Sequence, residues 1–171
     1  MTNYMDFDCA LGAMRIAATT NGLCGVYFRA QKYFPTGAEW HESSTNADLI
    51  AARKQLHEYF DGKRCVFDLR LAAAGTPFQQ RVWKALRGIP FGQTTTYGGL
   101  AEALGTPTAT RAVAAAVGRN PIGIIVPCHR VLGKDGSLTG FAGGLDRKAA
   151  LLQLEGVLFP IGRDGSLAIR P

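Results

Sequence analysis

The sequence predicts an α+β chain in two parts, a small β-sheet with one helix followed by a mostly helical domain built around a helix-turn-helix. Three observations carry this reading. Strand-like apolar segments crowd the first third of the chain around a single amphipathic helix, Ala72-Ala73-Ala74-Gly75 then breaks the pattern, and capping signals for several short helices follow. We place the domain boundary at that break, giving a first domain over residues 1–75 and a second over 76–171. With 171 residues and 47% apolar content the chain can bury a sizeable core, which excludes a disordered or fibrous protein.

Residues 3–28 read as antiparallel strands. Met14 to Ala18 and Leu23 to Phe28 flank an Asn21-Gly22 pair that readily supplies the positive φ angles of a tight hairpin. From Asn46 to Asp61, Leu49, Ala52, Leu56, Tyr59 and Phe60 recur at helical spacing and Gly62 stands at the C-cap position. Cys65, Phe67, Leu69 and Leu71 then alternate with Val66, Asp68 and Arg70, the pattern of a half-buried strand. In the second domain Thr76-Pro77-Phe78-Gln79 combines an N-cap threonine, a proline at the first helical position and a glutamine three residues after the cap. That helix should end near Gly88. Another is expected over Tyr97 to Leu104, closed by Gly105, and a third from Thr106-Pro107 towards Val117. Two short helices joined by a glycine-containing turn suggest a helix-turn-helix.

Charge separates the two parts. Residues 1–75 hold eight Lys/Arg and eight Asp/Glu, whereas residues 76–171 hold eleven against five, so the whole net charge of +6 lies in the second part. A polyanionic partner such as nucleic acid fits there, as does a merely soluble basic surface. The third helix presents a face of alanines with one long cation, Arg111. It can approach another surface closely or pack into a tight core. Cys9, Cys24, Cys65 and Cys128 are scattered with no CxxC pair, which argues against a disulfide framework or a zinc knuckle and fits a reducing cytoplasm. The acidic start of the chain is unlike a secretory signal, and no stretch is long enough to span a membrane. No cofactor and no metal site are expected.

The chemistry concentrates after Asn120-Pro121, where an apolar run, Ile122 to Val126, reads as a strand delivering Pro127-Cys128-His129-Arg130-Val131 into a turn. Cysteine reacts as the thiolate, so its pKa has to be lowered by cations, a hydrogen-bonded base or a helix N-terminus, and His129 and Arg130 are the nearby candidates. On an extended segment adjacent side chains point to opposite sides, so His129 reaches the sulfur through a bridging water, with a third group orienting the imidazole. A Cys-His pair by itself is more often structural than catalytic.

IVPCHRV resembles the active-site signature of the O6-alkylguanine-DNA alkyltransferases, the methylated-DNA-protein-cysteine methyltransferases. The resemblance runs from about Thr76 to Gly156 through FQQRVWKALRGIPFGQTTTYGGLAEALG, RAVAAAVGRNP, PCHRV and GFAGGLDRKAALLQLEG, in the family's order and spacing. It implies a ribonuclease-like N-terminal domain and a winged-helix-like C-terminal one. The implied activity is direct, irreversible and stoichiometric repair of duplex DNA by a single-turnover methyltransferase, with O6 of guanine as the donor position and O4 of thymine as a second one left open.

Residue by residue, the resemblance implies Cys128 as alkyl acceptor, His129 linked to it through water, and Glu155 hydrogen-bonded to His129. Asn120 would brace the turn before the active site. Arg111 would replace the extruded base in the stack, and Tyr97 would crowd the neighbouring phosphate and protonate the departing guanine. Ala112 and Ala115, with Ala114 and Ala116, suit a helix that enters the minor groove, and Arg119 would join them on DNA. Val117, Pro127, Val131, Phe141 and Ala142 would line the pocket. Many relatives carry Tyr at Phe141 and some Ser at Ala142, so a hydroxyl contact is lost here while the backbone N–H of Ala142 remains available. Cys9, Cys24, His41 and His57 do not reproduce the zinc ligands of some relatives. Outside the family reading stand a damage sensor lacking the acceptor cysteine, a winged-helix regulator and a Cys-His hydrolase. Cys128 speaks against the first, the lack of a second DNA-binding or sensor module against the second, and the adjacency of Cys128 and His129 against the third. The partner implied is DNA, with no membrane, and the protein itself is expected to be a monomer.

Overall fold

The structure, a computed structural model, describes residues 1–36 and 38–158. The last residues of the second predicted domain, 159–171, lie outside the described residues, as does most of the 157–171 tail in which the sequence shows no motif. The chain divides into two compact units, one formed by Met1–Gly75 with Pro121–Ile125 and the other by Thr76–Asn120 with the chain from Val126. Residues 121–125, expected within the second domain, thus group with the first: Val26 N–H donates to the Pro121 carbonyl and Gly123 N–H to that of Val26.

In the first unit β1 (Thr2–Cys9), β2 (Gly12–Thr19), β3 (Gly22–Phe28) and β4 (Trp40–Glu42) form a sheet in the order β3-β2-β1-β4. The first three strands pair antiparallel, while β4 runs parallel to β1. Central β2 buries Met14, Ile16, Ala17 and Ala18. In the β2–β3 hairpin only Gly22 takes a positive φ, +132°, and a Cβ there would lie 2.6 Å from the Arg70 carbonyl oxygen. Glycine is therefore required at that position by backbone approach as well as by turn geometry. Helix α1 (Ala47–Phe60) packs on β1, β2 and β3 through Leu49, Ala52, Leu56 and Tyr59, with Asn46 capping its N-terminus.

The predicted strand Cys65 to Leu71 does not form. Only Leu71 bridges β3, at Leu23, and Cys65 and Val66 are exposed. The alternation is real, since Phe67 packs on Tyr59, but the ladder is pre-empted by a side chain. The Gln55 carboxamide binds the Asp68 N–H (2.8 Å) and C=O (2.9 Å), taking the groups a neighbouring strand would use.

The second unit begins with α2 (Pro77–Arg87), whose Thr76 and Gln79 form the expected reciprocal capping box. Such a cap contributes about 1 kcal/mol. Its apolar face, Val82, Trp83 and Leu86, is buried, and the Trp83 indole donates to the Ala116 carbonyl at 2.8 Å. Helix α3 (Tyr97–Ala103) follows β5 (Thr95–Thr96), and α4 (Thr110–Gly118) packs against both α2 and α3. Helix α4 starts four residues later than Thr106. Pro107 instead occupies a turn in which Ala109 N–H donates to the Thr106 carbonyl, a favoured place for proline. A two-residue strand β6 (Val131–Leu132) pairs parallel with β5, and α5 (Leu145–Leu154) packs Ala149 and Leu152 against Leu132 and Leu138. Among the described residues no helix is long and apolar enough to cross a membrane.

Candidate active site

The approach to Cys128 is a series of turns. The predicted strand Ile122 to Val126 contributes a single bridge, Ile122 to Val26, and then Ile124 turns the chain with φ +69°. A β-branched residue in that region costs of order 1–3 kcal/mol, which the surroundings have to hold in place. Asn120 does part of this: its Nδ2 donates to the Val126 carbonyl at 2.8 Å and its side chain also bonds the Cys128 sulfur. Pro127 (φ −83°, ψ 66°) then makes an inverse γ-turn closed by Cys128 N–H to the Val126 carbonyl at 2.8 Å. Cys128–Arg130 form one 3-10 turn, so Cys128 and His129 are not on the extended segment that the sequence suggests.

Helix α5 brings up the partner of His129. Glu155, its C-cap residue, is buried, and its Oε1 lies 2.7 Å from His129 Nε2. Arg130 grips the same carboxylate from the other side, Nε to Oε2 and Nη2 to Oε1, both at 2.9 Å. The Gly92 N–H adds a contact to Oε2 at 3.2 Å. Arg130, expected as a cation beside the sulfur, is thus committed to Glu155. A buried pair of this kind is neutral or weakly stabilising as a whole, but removing one partner costs roughly 3–5 kcal/mol because the other charge is stranded. His129 Nδ1 is the one buried side-chain nitrogen or oxygen without a hydrogen-bond partner among the described residues.

Cys128 is half-buried, and burial pushes its thiol up from the ordinary value despite opposing contributions from Asn120, Lys148 and backbone N–H groups. This corrects the expectation of a lowered pKa: cations beside it in sequence do not face it, and at rest the sulfur holds its proton. His129 is pushed down, chiefly by burial, although the Glu155 carboxylate works in the other direction. A neutral imidazole whose Nε2–H points at a carboxylate exposes the Nδ1 lone pair, the form that accepts a proton.

Tyr97, the first residue of α3, donates its hydroxyl to the Thr139 carbonyl at 3.0 Å, and burial raises its pKa. The Lys148 ammonium donates to the same carbonyl at 2.8 Å and to those of Val131 (2.6 Å) and Gly140 (3.2 Å). Lys148 is wholly buried and its pKa is pulled down to about 8 by that burial. Phe141 and Ala142 are half-buried just beyond this clamp, and Pro127 and Val117 are buried. Val131 is fully buried in β6, so it packs behind the surface. On α4 the exposed residues Arg111, Ala112, Ala115, Gly118 and Arg119 form one stripe, whereas Ala116 is in the core and Ala114 is half-buried.

Comparison with known proteins gives the family. Residues 77–157 match the family described as 6-O-methylguanine DNA methyltransferase, DNA binding domain, and residues 3–73 match its ribonuclease-like domain. The chain is 45% identical over 155 residues to a methylated-DNA-protein-cysteine methyltransferase of Mycobacterium tuberculosis, covering 91% of this chain and 93% of that one. The chain belongs to the methylated-DNA-protein-cysteine methyltransferase family. Another member, from Methanosarcina acetivorans, is 46% identical over 155 residues, covering 90% and 97% of the two chains. A crystal structure of Mycobacterium tuberculosis OGT in complex with DNA superposes with a TM-score of 0.82 at 44% identity, covering 90% and 92%.

Against the methyltransferase signature, sequence reasoning missed Lys148 and misassigned Arg130. The first was detectable in principle: Leu145, Lys148, Ala149 and Leu152 share one helical face, so the lysine stands in an apolar stripe. The second was not, because nothing local to PCHRV says that residue 130 turns towards residue 155.

Proposed function

We propose that this methyltransferase repairs alkylated DNA in the cytoplasm by moving a methyl or larger alkyl group from O6 of guanine onto Cys128 Sγ, once per molecule. None of the four cysteines is joined in a disulfide, which suits a reducing compartment. The observation that carries the reading is the buried Glu155–His129 pair, which leaves Nδ1 as an unsatisfied acceptor in the same turn as a protonated cysteine. The Cys128 proton passes through a water to His129 Nδ1, and the imidazolium so formed is held against Glu155. The sulfur attacks the alkyl carbon, the S–C bond forms, and the C–O6 bond breaks with its electron pair going to guanine. Tyr97 turns its hydroxyl from the Thr139 carbonyl to the departing base and gives it the proton, and the tyrosinate regains one from the His129 imidazolium through solvent, so that both side chains end neutral. A thioether is stable, so each molecule acts once.

A guanine stacked in a duplex cannot reach the sulfur, so it is turned out into the site. The exposed stripe on α4 lies in the minor groove, with Ala112 and Ala115 allowing close approach, Arg111 filling the vacated stack and Arg119 contacting the backbone. Phe141, Pro127 and Val117 bound the base, the Ala142 N–H meets O6, and Asn120 keeps the acceptor turn in shape. Incubation with an O6-methylguanine duplex followed by peptide mapping tests the assignment. One methyl per protein on Cys128 is expected, and none in Cys128→Ser. Label on Cys9, Cys24 or Cys65, or transfer that persists in the serine variant, would overturn it.

A further inference from the structure

We infer that Arg130 is a positioning residue for this reaction: its guanidinium keeps Glu155 ionised and thereby decides which ring nitrogen of His129 carries the proton. The inference rests on the proposed relay and adds to it a residue that the relay does not use. Glu155 has no solvent-exposed side-chain surface, and a carboxylate held away from water stays charged only with partners. Arg130 touches both of its oxygens, Nε on one and Nη2 on the other, and so places a full positive charge against the carboxylate. The arginine is itself anchored, with Nη1 donating to the Ile89 carbonyl at 2.6 Å and the Phe91 ring 5.9 Å from its central carbon. The same loop returns the Gly92 N–H to Glu155, where Gly92 has φ +76° and a Cβ would lie 3.0 Å from the Glu155 backbone oxygen. Loop, arginine and glutamate therefore form one fitted unit behind the imidazole.

The consequence concerns protons. An ionised Glu155 can only accept, so Nε2 must donate to it and Nδ1 keeps its lone pair towards the cysteine. Without the guanidinium the stranded carboxylate takes up a proton. It then donates to Nε2, the ring proton moves to Nδ1, and the base is lost although every other contact is intact. The other titratable groups facing His129 and Cys128 are Lys148 and Tyr97, and the substitution leaves the carbonyl partners of both in place.

The test uses full-length protein labelled with 15N in histidine, as wild type, Arg130→Met and Arg130→Lys, alongside alkyl transfer from O6-benzylguanine measured across pH. Wild type should show the Nε2–H tautomer of His129. Arg130→Met should show Nδ1–H, with transfer at neutral pH slower by on the order of tenfold or more and recovering as pH rises and Glu155 ionises. Arg130→Lys keeps the charge and should retain the wild-type tautomer and most of the rate. A folded Arg130→Met that keeps Nε2–H with a wild-type pH profile overturns the inference. Should the methionine variant not fold, the other two proteins still decide: Nδ1–H in wild type or in Arg130→Lys is equally fatal. Failure of the underlying reading would appear elsewhere, as alkyl label missing from Cys128 of the wild type.

Discussion

At the scale of residues, the balance of burial and charge around His129 sets how readily Cys128 can be activated. Burial lowers the proton affinity of the imidazole, and Glu155 restores part of it. The thiol is shifted the opposite way, upward, again by burial. On the proposed relay, proton transfer from sulfur to imidazole is therefore uphill at rest, and Glu155 makes it less so. Glu155→Gln removes the charge while leaving an oxygen that can accept from Nε2–H. His129 then becomes a still weaker base, more of the thiolate has to be reached by raising pH, and the pH profile of alkyl transfer moves upward. We expect a loss on the order of tenfold at neutral pH, with DNA binding little changed. Quenched-flow transfer from O6-benzylguanine across pH provides the measurement. An unshifted profile in a folded Glu155→Gln protein would leave Glu155 a purely structural partner of Arg130.

At the scale of elements, α4 divides its residues cleanly: Val113, Ala116 and Val117 go to the core, and Arg111, Ala112, Ala115, Gly118 and Arg119 are exposed. A stripe with a long cation at each end and small residues between them is suited to a narrow groove, with Arg111 as the inserted side chain. Arg111→Ala should thus slow repair of O6-methylguanine in a duplex by on the order of tenfold or more while leaving transfer from free O6-benzylguanine within about twofold, since a free base need not be extruded. Equal losses on both substrates would assign Arg111 to the fold or the pocket. Helices α1 and α2 were legible because caps and apolar periodicity are local chemistry: Asn46, Thr76 and Gln79 act within one turn. The strands expected over 65–71 and 122–126 failed because a ladder needs a partner that sequence does not specify, and Gln55 or a turn at Ile124 supplied the alternative. The contact of His129 with Glu155 was legible through the motif resemblance. The hold of Arg130 on Glu155 was not, since it is a contact made across a long sequence separation, and of Lys148 only its place in an apolar stripe was legible, not the carbonyls that it binds.

At the scale of the whole molecule, the reaction changes the protein that performs it. Cys128 is half-buried at the end of a turn whose backbone is fixed by Asn120, by the γ-turn at Pro127 and by the strained Ile124. The chain passes from the second unit to the first after Asn120 and back before Val126. A methyl group added to the sulfur has to be accommodated by neighbours packed at interior density, and overpacking of this kind costs roughly 1–3 kcal/mol. Methylation also removes the S–H and weakens the sulfur as an acceptor, so the Asn120 side chain loses a partner it has in the unmodified protein. Both effects lower stability. For a chain of this size the loss corresponds to a melting temperature lower by roughly 2–12 °C, large enough to raise the unfolded population and expose the spent protein to proteolysis. Calorimetry on unmodified and fully methylated protein, each freed of DNA, checks the prediction. Equal or higher melting of the methylated form would mean that a cavity beside Sγ already has room for the product, and that disposal of the spent protein depends on something other than its packing.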